Sequence, residues 1–182
     1  MKSYASMPHL RNHSKLRPTY IDMGVINLSQ EFTSPVDAAR LFKALIIDSH
    51  NLIPKLMPQA IKSIEIIQGE GGVGTIKQIN FAEGTRFKYM KNRIDTLDVE
   101  NLMCKYTLIE GDVLEDKIKS IAYEVRFIPS ANGGCVCKMM SEYQAVGDFE
   151  INEEEIRGGK ERAMGMYKVV EAYLFESPGA YE

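Results

Sequence analysis

The chemistry open to this chain is bounded first by its histidines, His9, His13 and His50. The first two fall in a basic, Ser-bearing N-terminal stretch, so one imidazole serves the rest of the chain. Zinc hydrolases draw two or three imidazoles from the fold, and a Ser-His-Asp triad sets one beside its nucleophile. Proton transfer here therefore falls to Lys, Tyr, Asp or Glu. His9 and His13 have a helical metal-ligand spacing but stand alone, so no metal site is expected. The three cysteines, Cys104, Cys135 and Cys137, are an odd number without a secretory signal, which points to free thiols in a reducing compartment. Cys135 and Cys137 sit two apart in a strand-like run. That spacing puts them on one face with poor disulfide geometry, and they read as small buried apolar residues.

A second candidate is the run Gly69-Glu70-Gly71-Gly72-Val73-Gly74-Thr75, which contains G-x-G-x-x-G. A dinucleotide loop must lead into a helix whose N-terminus holds the pyrophosphate. Here a strand-like segment, 75–81, follows, and no G-K-[ST] is present. Gly69, Gly71, Gly72 and Gly74 read instead as a turn between strands, with amides able to form a weak anion nest. No cofactor is expected.

The elements that must position these residues emerge from periodicity and turn signals. A strand at 25–33 precedes two short helices, 38–47 and 51–56, the first opened by Asp37. Six strands follow at 61–68, 75–81, 87–97, 101–110, 117–129 and 134–146. A long helix closes the series at 152–176, with Asn152 as its cap and Glu155 placed for a capping box. Consecutive strands joined by short turns imply an antiparallel meander of α+β class, and the long helix alone can cover its concave face. Alternation assigns to that face Leu102, Cys104, Tyr106 and Leu108; Ile121, Tyr123, Val125 and Phe127; Ile79 and Phe81; Phe87 and Tyr89; and Cys135, Cys137 and Met139. Buried tyrosine hydroxyls need partners, so Tyr89, Tyr106 and Tyr123 point to a wet or ligand-filled interior. The helix stripe is Ile156, Ala163, Tyr167, Val170 and Leu174. Gly158, Gly159 and Gly165 remove bulk from this helix at about 1 kcal/mol each relative to Ala, as in a lid over a cavity.

Composition agrees with one folded unit. The chain has 182 residues, is 45% hydrophobic and carries a net charge of −3. Residues 1–22 hold four basic residues against Asp22, a net +3 that leaves −6 for 23–182. The first segment reads as a disordered basic leader outside the fold, the second as a single domain. No apolar run reaches the roughly 18–20 residues of a membrane span, and a mildly acidic body disfavours specific nucleic-acid binding.

Several separated motifs then carry a resemblance: GEGGVGTIKQINF, KYMKNRID, YTLIEGD, the run Gly133-Gly134-Cys135-Val136-Cys137-Lys138 with Tyr143 beyond, Arg40-Leu41-Phe42-Lys43-Ala44, and the ending Ala180-Tyr181. Over 23–182 the chain resembles the pathogenesis-related class 10 (Bet v 1) family of plants. The resemblance implies a curved seven-stranded antiparallel sheet wrapped around the C-terminal helix, two short helices and a large hydrophobic cavity. It further implies an allergen-like, defence- or stress-related protein of the cytoplasm, with the nucleus as a second location. Such a protein binds amphipathic metabolites: cytokinins, brassinosteroids, flavonoids and other phenolics. Positions matching polar ligand contacts are Lys77, Tyr106 and Tyr123, and Cys104 stands where the family often has tyrosine. Apolar walls would come from Ile53, Ile61, Ile79, Phe81, Phe87, Tyr89, Leu108, Val125, Met139, Ala163, Met166 and Tyr167, with Lys160 near a cavity mouth. Two enzymatic alternatives follow from the family. One is condensation or coupling of phenolic and amine metabolites at Lys77 and Tyr106. The other is weak ribonuclease action at Lys77, Glu171 and Tyr173, although Lys119 replaces a further glutamate of that set. The wider superfamily adds phosphatase-inhibiting receptors as a partner class. No catalytic residue is assigned, and a monomer or weak dimer is expected.

Overall fold

Runs that alternate apolar and polar residues, joined by turns of a few residues, pair in antiparallel fashion because so short a connection cannot cross over. The computed structural model describes residues 17–22 and 24–182, with side chains from residue 24 onward. In chain order the elements are β1 (Arg17–Asp22), β2 (Val25–Ser34), α1 (Ala38–Phe42) continued by a π-helical turn (Lys43–Ile47), α2 (Ser49–Leu56), β3 (Ile61–Gln68), β4 (Ile76–Phe81), β5 (Tyr89–Asp98), β6 (Met103–Gly111), β7 (Ile118–Pro129), β8 (Cys135–Ala145) and α3 (Glu153–Glu176). The strands form one antiparallel sheet in the order β1-β2-β8-β7-β6-β5-β4-β3. Strands β2 to β8 are the expected seven.

The eighth strand lies where the sequence reading placed a leader outside the fold. Residues 17–22 pair with β2, Arg17 opposite Ser29 and Asp22 opposite Val25; residues 1–16 lie outside the described residues. The other edge of β2 already pairs with β8, so its free edge presents unpaired N–H and C=O groups as a template. The segment offers it Thr19, Tyr20 and Ile21, which suit a strand.

Local chemistry accounts for most element ends. Asp37 caps α1 by accepting from the Ala39 and Arg40 amides at 2.9 and 3.2 Å. Asn152 caps α3 through the Glu154 amide at 2.9 Å, one residue short of a capping box. Glu155 instead turns its carboxylate toward Lys117 at 3.7 Å. Leu102 is not a strand residue but sits in the β5–β6 turn at φ 50°. Where β8 starts beside the end of β2, a side chain at Gly134 would collide with the Ser34 carbonyl, so only glycine lets the strands meet there.

The helix lies on the concave face, and its C-terminal half is the better packed. Val170 and Leu174 are fully buried with Leu41, Phe42 and Val125, each such side chain stabilising the fold by about 1.5–3 kcal/mol. Tyr167 stacks on Phe127, centroids 6.4 Å apart, and meets Phe32 edge-on at 5.4 Å. Toward the other end of the sheet a smaller cluster forms around Leu108, Leu114, Ile121, Tyr143 and Ile156.

Two cations define the ends of α3. At its C-terminus the Arg40 guanidinium donates to the carbonyls of Leu174, Ser177 and Ala180 at 3.1, 2.8 and 2.9 Å. These include the orphaned acceptors that every helix end leaves behind. Nearer the N-terminus Lys160 sits on the buried face with Ile156 and Tyr167, 5% exposed. Its Nζ has no hydrogen-bond partner among the described residues. Burial alone pushes its pKa down to about 8.

These two cations make opposite predictions. Arg40→Met should cost about 2 kcal/mol in urea unfolding, because three acceptors lose their donor. Arg40→Lys should recover less than half, since one ammonium cannot span all three. Lys160→Met should instead stabilise the protein by about 1 kcal/mol at pH 7, since it removes an unpaired buried charge. Between a folded pKa near 8 and an unfolded value of 10.5, the unfolded chain binds the extra proton. Raising the pH through that window therefore favours the fold, and the wild type should close on the variant between pH 8 and 10. Melting curves at several pH values check this; a constant difference would refute it.

Candidate functional site

Beyond the Phe32–Tyr167–Phe127 contact, α3 and the sheet stand apart and enclose a cavity of about 270 Å³. Fourteen of the expected residues line it. Lys77 and Ile79 come from β4; Cys104, Tyr106 and Leu108 from β6; Tyr123 from β7; Met139 from β8; and Ala163, Met166 and Tyr167 from α3. Ile53 of α2, Ile61 of β3, Phe81 of β4, and Phe87 ahead of β5 complete the set.

Three expected residues do not reach it. Tyr89 opens β5, and Phe87 precedes the strand, so the two do not share a face. Met90, Asn92 and Ile94 face the cavity instead, while the Tyr89 hydroxyl donates to Glu110 at 3.0 Å on the outer side. Val125 lies on the inner face, yet it is sealed at 0% exposure in the packed cluster with Phe42 and Phe127. Lys160 is buried without lining the cavity, and the α3 residue at its opening is the exposed Arg162.

The glycine loop also lies away from the cavity. Gly69, Gly71 and Gly74 adopt φ of 84°, 100° and 85°, and the loop closes over buried Thr75. The Gly71 amide donates to Thr75 Oγ1 at 2.9 Å, and the Gly74 amide to the Ile94 carbonyl at 2.8 Å. A side chain at Gly69 would press on Thr75 Oγ1 at 2.6 Å. With two of its amides spent internally and a strand following, the loop is a folded turn rather than an anion nest.

The polar groups in the wall are few and placed. Lys77 Nζ donates to the Ile46 carbonyl and to Ser49 Oγ, both at 3.1 Å. Burial lowers its pKa, against smaller opposing influences from Cys104 and Asp48. Burial likewise pushes the Cys104 thiol up to about 11, with Lys77 pulling back. Tyr106 and Tyr123 stack at 4.9 Å, and burial raises both phenols. The Asn92 Oδ1 is buried with no partner among the described residues. A satellite cavity of about 70 Å³ adjoins, sharing Phe87, Val113, Tyr123, Gly159 and Arg162 with the larger one.

Among the described lining residues of the larger cavity there is no Asp, Glu or His. The wall can thus desolvate an apolar body and offer it an amine, three phenols, a hydroxyl, a thiol, an amide and a guanidinium. The ribonuclease set is not assembled: Glu171 lies near enough to Cys135 to raise that thiol, and Tyr173 packs on the main core, neither in the wall with Lys77. Among the described residues no group of three or more His, Cys, Asp or Glu could hold a metal ion. The sequence reading does not reach Leu45, Ile46, Ser49, Met57, Ile64, Met90, Asn92, Ile94, Val113 and Arg162, and it marks Gly159 only as lost bulk over a cavity, not as part of the wall. Helical spacing from Ala163 and Met166 back to Gly159 and Arg162 was the available signal for the last two.

Comparison with known proteins agrees with this architecture. The model of the Pathogenesis-related protein Bet v 1 family matches residues 23–177. The chain is 50% identical over 159 residues to Major allergen Pru ar 1 of Prunus armeniaca, covering 87% of this chain and 99% of that protein. It is 48% identical, with the same coverage, to Major strawberry allergen Fra a 1.07 of Fragaria ananassa. The crystal structure of Ara h 8.0201 superposes with a TM-score of 0.77 at 33% identity, over 84% of this chain and 99% of that one. Truncated norcoclaurine synthase from Thalictrum flavum shares the fold at a TM-score of 0.68 and 22% identity, over 87% and 98% of the two chains. A continuous family match, relatives near half identity and a helix gripped by a curled sheet lead to one conclusion: the chain belongs to the Bet v 1 family of pathogenesis-related proteins.

Proposed function

We propose that the protein binds and carries amphipathic small molecules in the interior cavity, as a defence- or stress-related protein of the plant cytoplasm. The observation that carries this reading is the wall itself, apolar over most of its area with Lys77 and the Tyr106–Tyr123 stack as fixed polar points. In such pockets area burial supplies affinity and a few polar groups set orientation. A free space of about 270 Å³ lies just below the roughly 300–1,000 Å³ of typical ligand pockets. It favours molecules of cytokinin or flavonoid size over a steroid skeleton. Methionines Met57, Met90, Met139 and Met166 line it, and their flexible thioethers suit broad selectivity. Micromolar affinity, about −8 kcal/mol, is expected.

Condensation chemistry would need a second acid or base beside Lys77, and the groups nearest in kind are a thiol and phenols raised by burial. This supports binding over turnover. No described helix is long and apolar enough to cross a membrane.

Displacement of a fluorescent cavity probe by a metabolite panel tests the reading. At least one amphipathic phenolic or purine ligand should displace it at micromolar concentration, and a panel without any displacement would overturn it. Lys77→Met should weaken ligands bearing a carbonyl or hydroxyl acceptor about tenfold while leaving purely apolar ligands within twofold. Equal loss for both would mean that Lys77 shapes the cavity rather than contacting the ligand.

A further inference from the structure

The charges around the cavity opening do not balance. On the satellite cavity, Arg86 pairs with Glu115 at 2.5 Å and Lys117 with Glu155 at 3.7 Å, which uses both acids of that wall. Arg162 lines both cavities, is exposed, and has no carboxylate within salt-bridge distance among the described residues. Its own helix denies it one. Positions three and four residues away hold Gly158, Gly159, Gly165 and Met166, whereas an acid at any of them would form the usual intrahelical pair.

The guanidinium is nonetheless held in place. It lies 5.5 Å from the centroid of the Phe87 ring, itself part of the cavity wall. It lies over the Gly158–Gly159 turn of its own helix, where a Cβ at Gly158 would stand 3.5 Å from Nη1 and one at Gly159 3.9 Å from Nη2, both ordinary contact distances. Its charge also reaches the Tyr123 and Tyr143 phenols, drawing both down against the larger upward effect of burial. Here is a fixed, solvent-fed cation whose fork matches a planar or tetrahedral oxyanion, at the edge of an apolar chamber without acids in its wall.

Resting on the cavity-binding reading, we propose that the preferred ligands are amphipathic monoanions, aryl or alkyl carboxylates and sulfates. Arg162 pairs the acid group at the opening, and the apolar body fills the chamber toward Lys77. A neutral molecule of the same shape gains the burial but not the ion pair.

Two probes sharing an aryl skeleton separate the contributions: 8-anilinonaphthalene-1-sulfonate and the neutral N-phenyl-1-naphthylamine, titrated by fluorescence against wild type, Arg162→Met and Arg162→Lys. Circular dichroism and melting confirm the fold of each variant. Arg162→Met should weaken the sulfonate about five- to tenfold and shift the neutral probe less than twofold. Arg162→Lys should fall between, and 0.5 M NaCl should weaken the sulfonate in wild type but not in Arg162→Met. A neutral probe that binds beside a sulfonate indifferent to Arg162 would overturn the anion preference and leave the cavity reading standing. Equal weakening of both probes would overturn it as well, by reducing Arg162 to a packing residue. Wild type that binds neither probe would overturn both readings.

Discussion

One geometric constraint governs this molecule: the concave face of an eight-stranded sheet has to be covered by a single helix. At 1.5 Å per residue, the 24 residues of α3 reach about 36 Å but remain only about 10–12 Å wide. Such a rod cannot touch a curled sheet along its whole length. It touches where Tyr167 stacks on Phe127 and butts against Phe32, and that aromatic wedge sets its height. On the C-terminal side the gap closes with Val170 and Leu174; on the N-terminal side Gly159 and Ala163 leave it open. The cavity is therefore a direct outcome of covering a curved surface with a straight element.

The polar interior follows from a second mismatch, at the break between the short helices. The π-helical turn ends with the Asp48 amide reaching back to Lys43 at 2.8 Å. The carbonyl of Ile46 is left as one of the acceptors a helix end cannot satisfy internally. Lys77, rising from β4 on the far wall, supplies the donor, and Ser49 completes the set. A lysine otherwise costly to bury is thereby tied to a helix terminus whose partial negative charge suits it. Cys104 leaves the space beside that ammonium small and apolar, where a bulkier phenol would crowd it.

Much of this was legible in the residues because antiparallel strands advertise their faces by alternation. Ile121 and Tyr123, or Cys135, Cys137 and Met139, need no further information to be placed inward. One misplacement arises where the period of two is interrupted, and the others where alternation carries no information. Tyr89 went astray because its strand begins at Tyr89 itself, with Phe87 outside it. Val125 was put on the correct face, but alternation does not say how far along the sheet the helix stays in contact. Lys160 and Arg162 are two residues apart on α3, and a cation on a helix gives no local sign of whether the sheet rises to bury it. Strand β1 was missed because its pairing depends on an edge that only the assembled sheet possesses. The Lys77–Ile46 bond joins residues 31 apart through a helix break that no local pattern announces.

The uneven seating of α3 makes it energetically two helices in one. Its second half is fastened by fully buried Val170 and Leu174 and by the Arg40 clasp on its last carbonyls. Its first half is fastened by one buried apolar side chain, Ile156, and otherwise carries Gly158 and Gly159, an unpaired buried ammonium and a largely polar surface. Opening free energies within one protein range from near zero to the global value according to such differences. The first turns of α3 can therefore lift as a local unit while the aromatic wedge and the sheet stay native. On the binding role proposed above, a ligand large enough to need a wider doorway would gain it from this fraying, without any cooperative unfolding of the core.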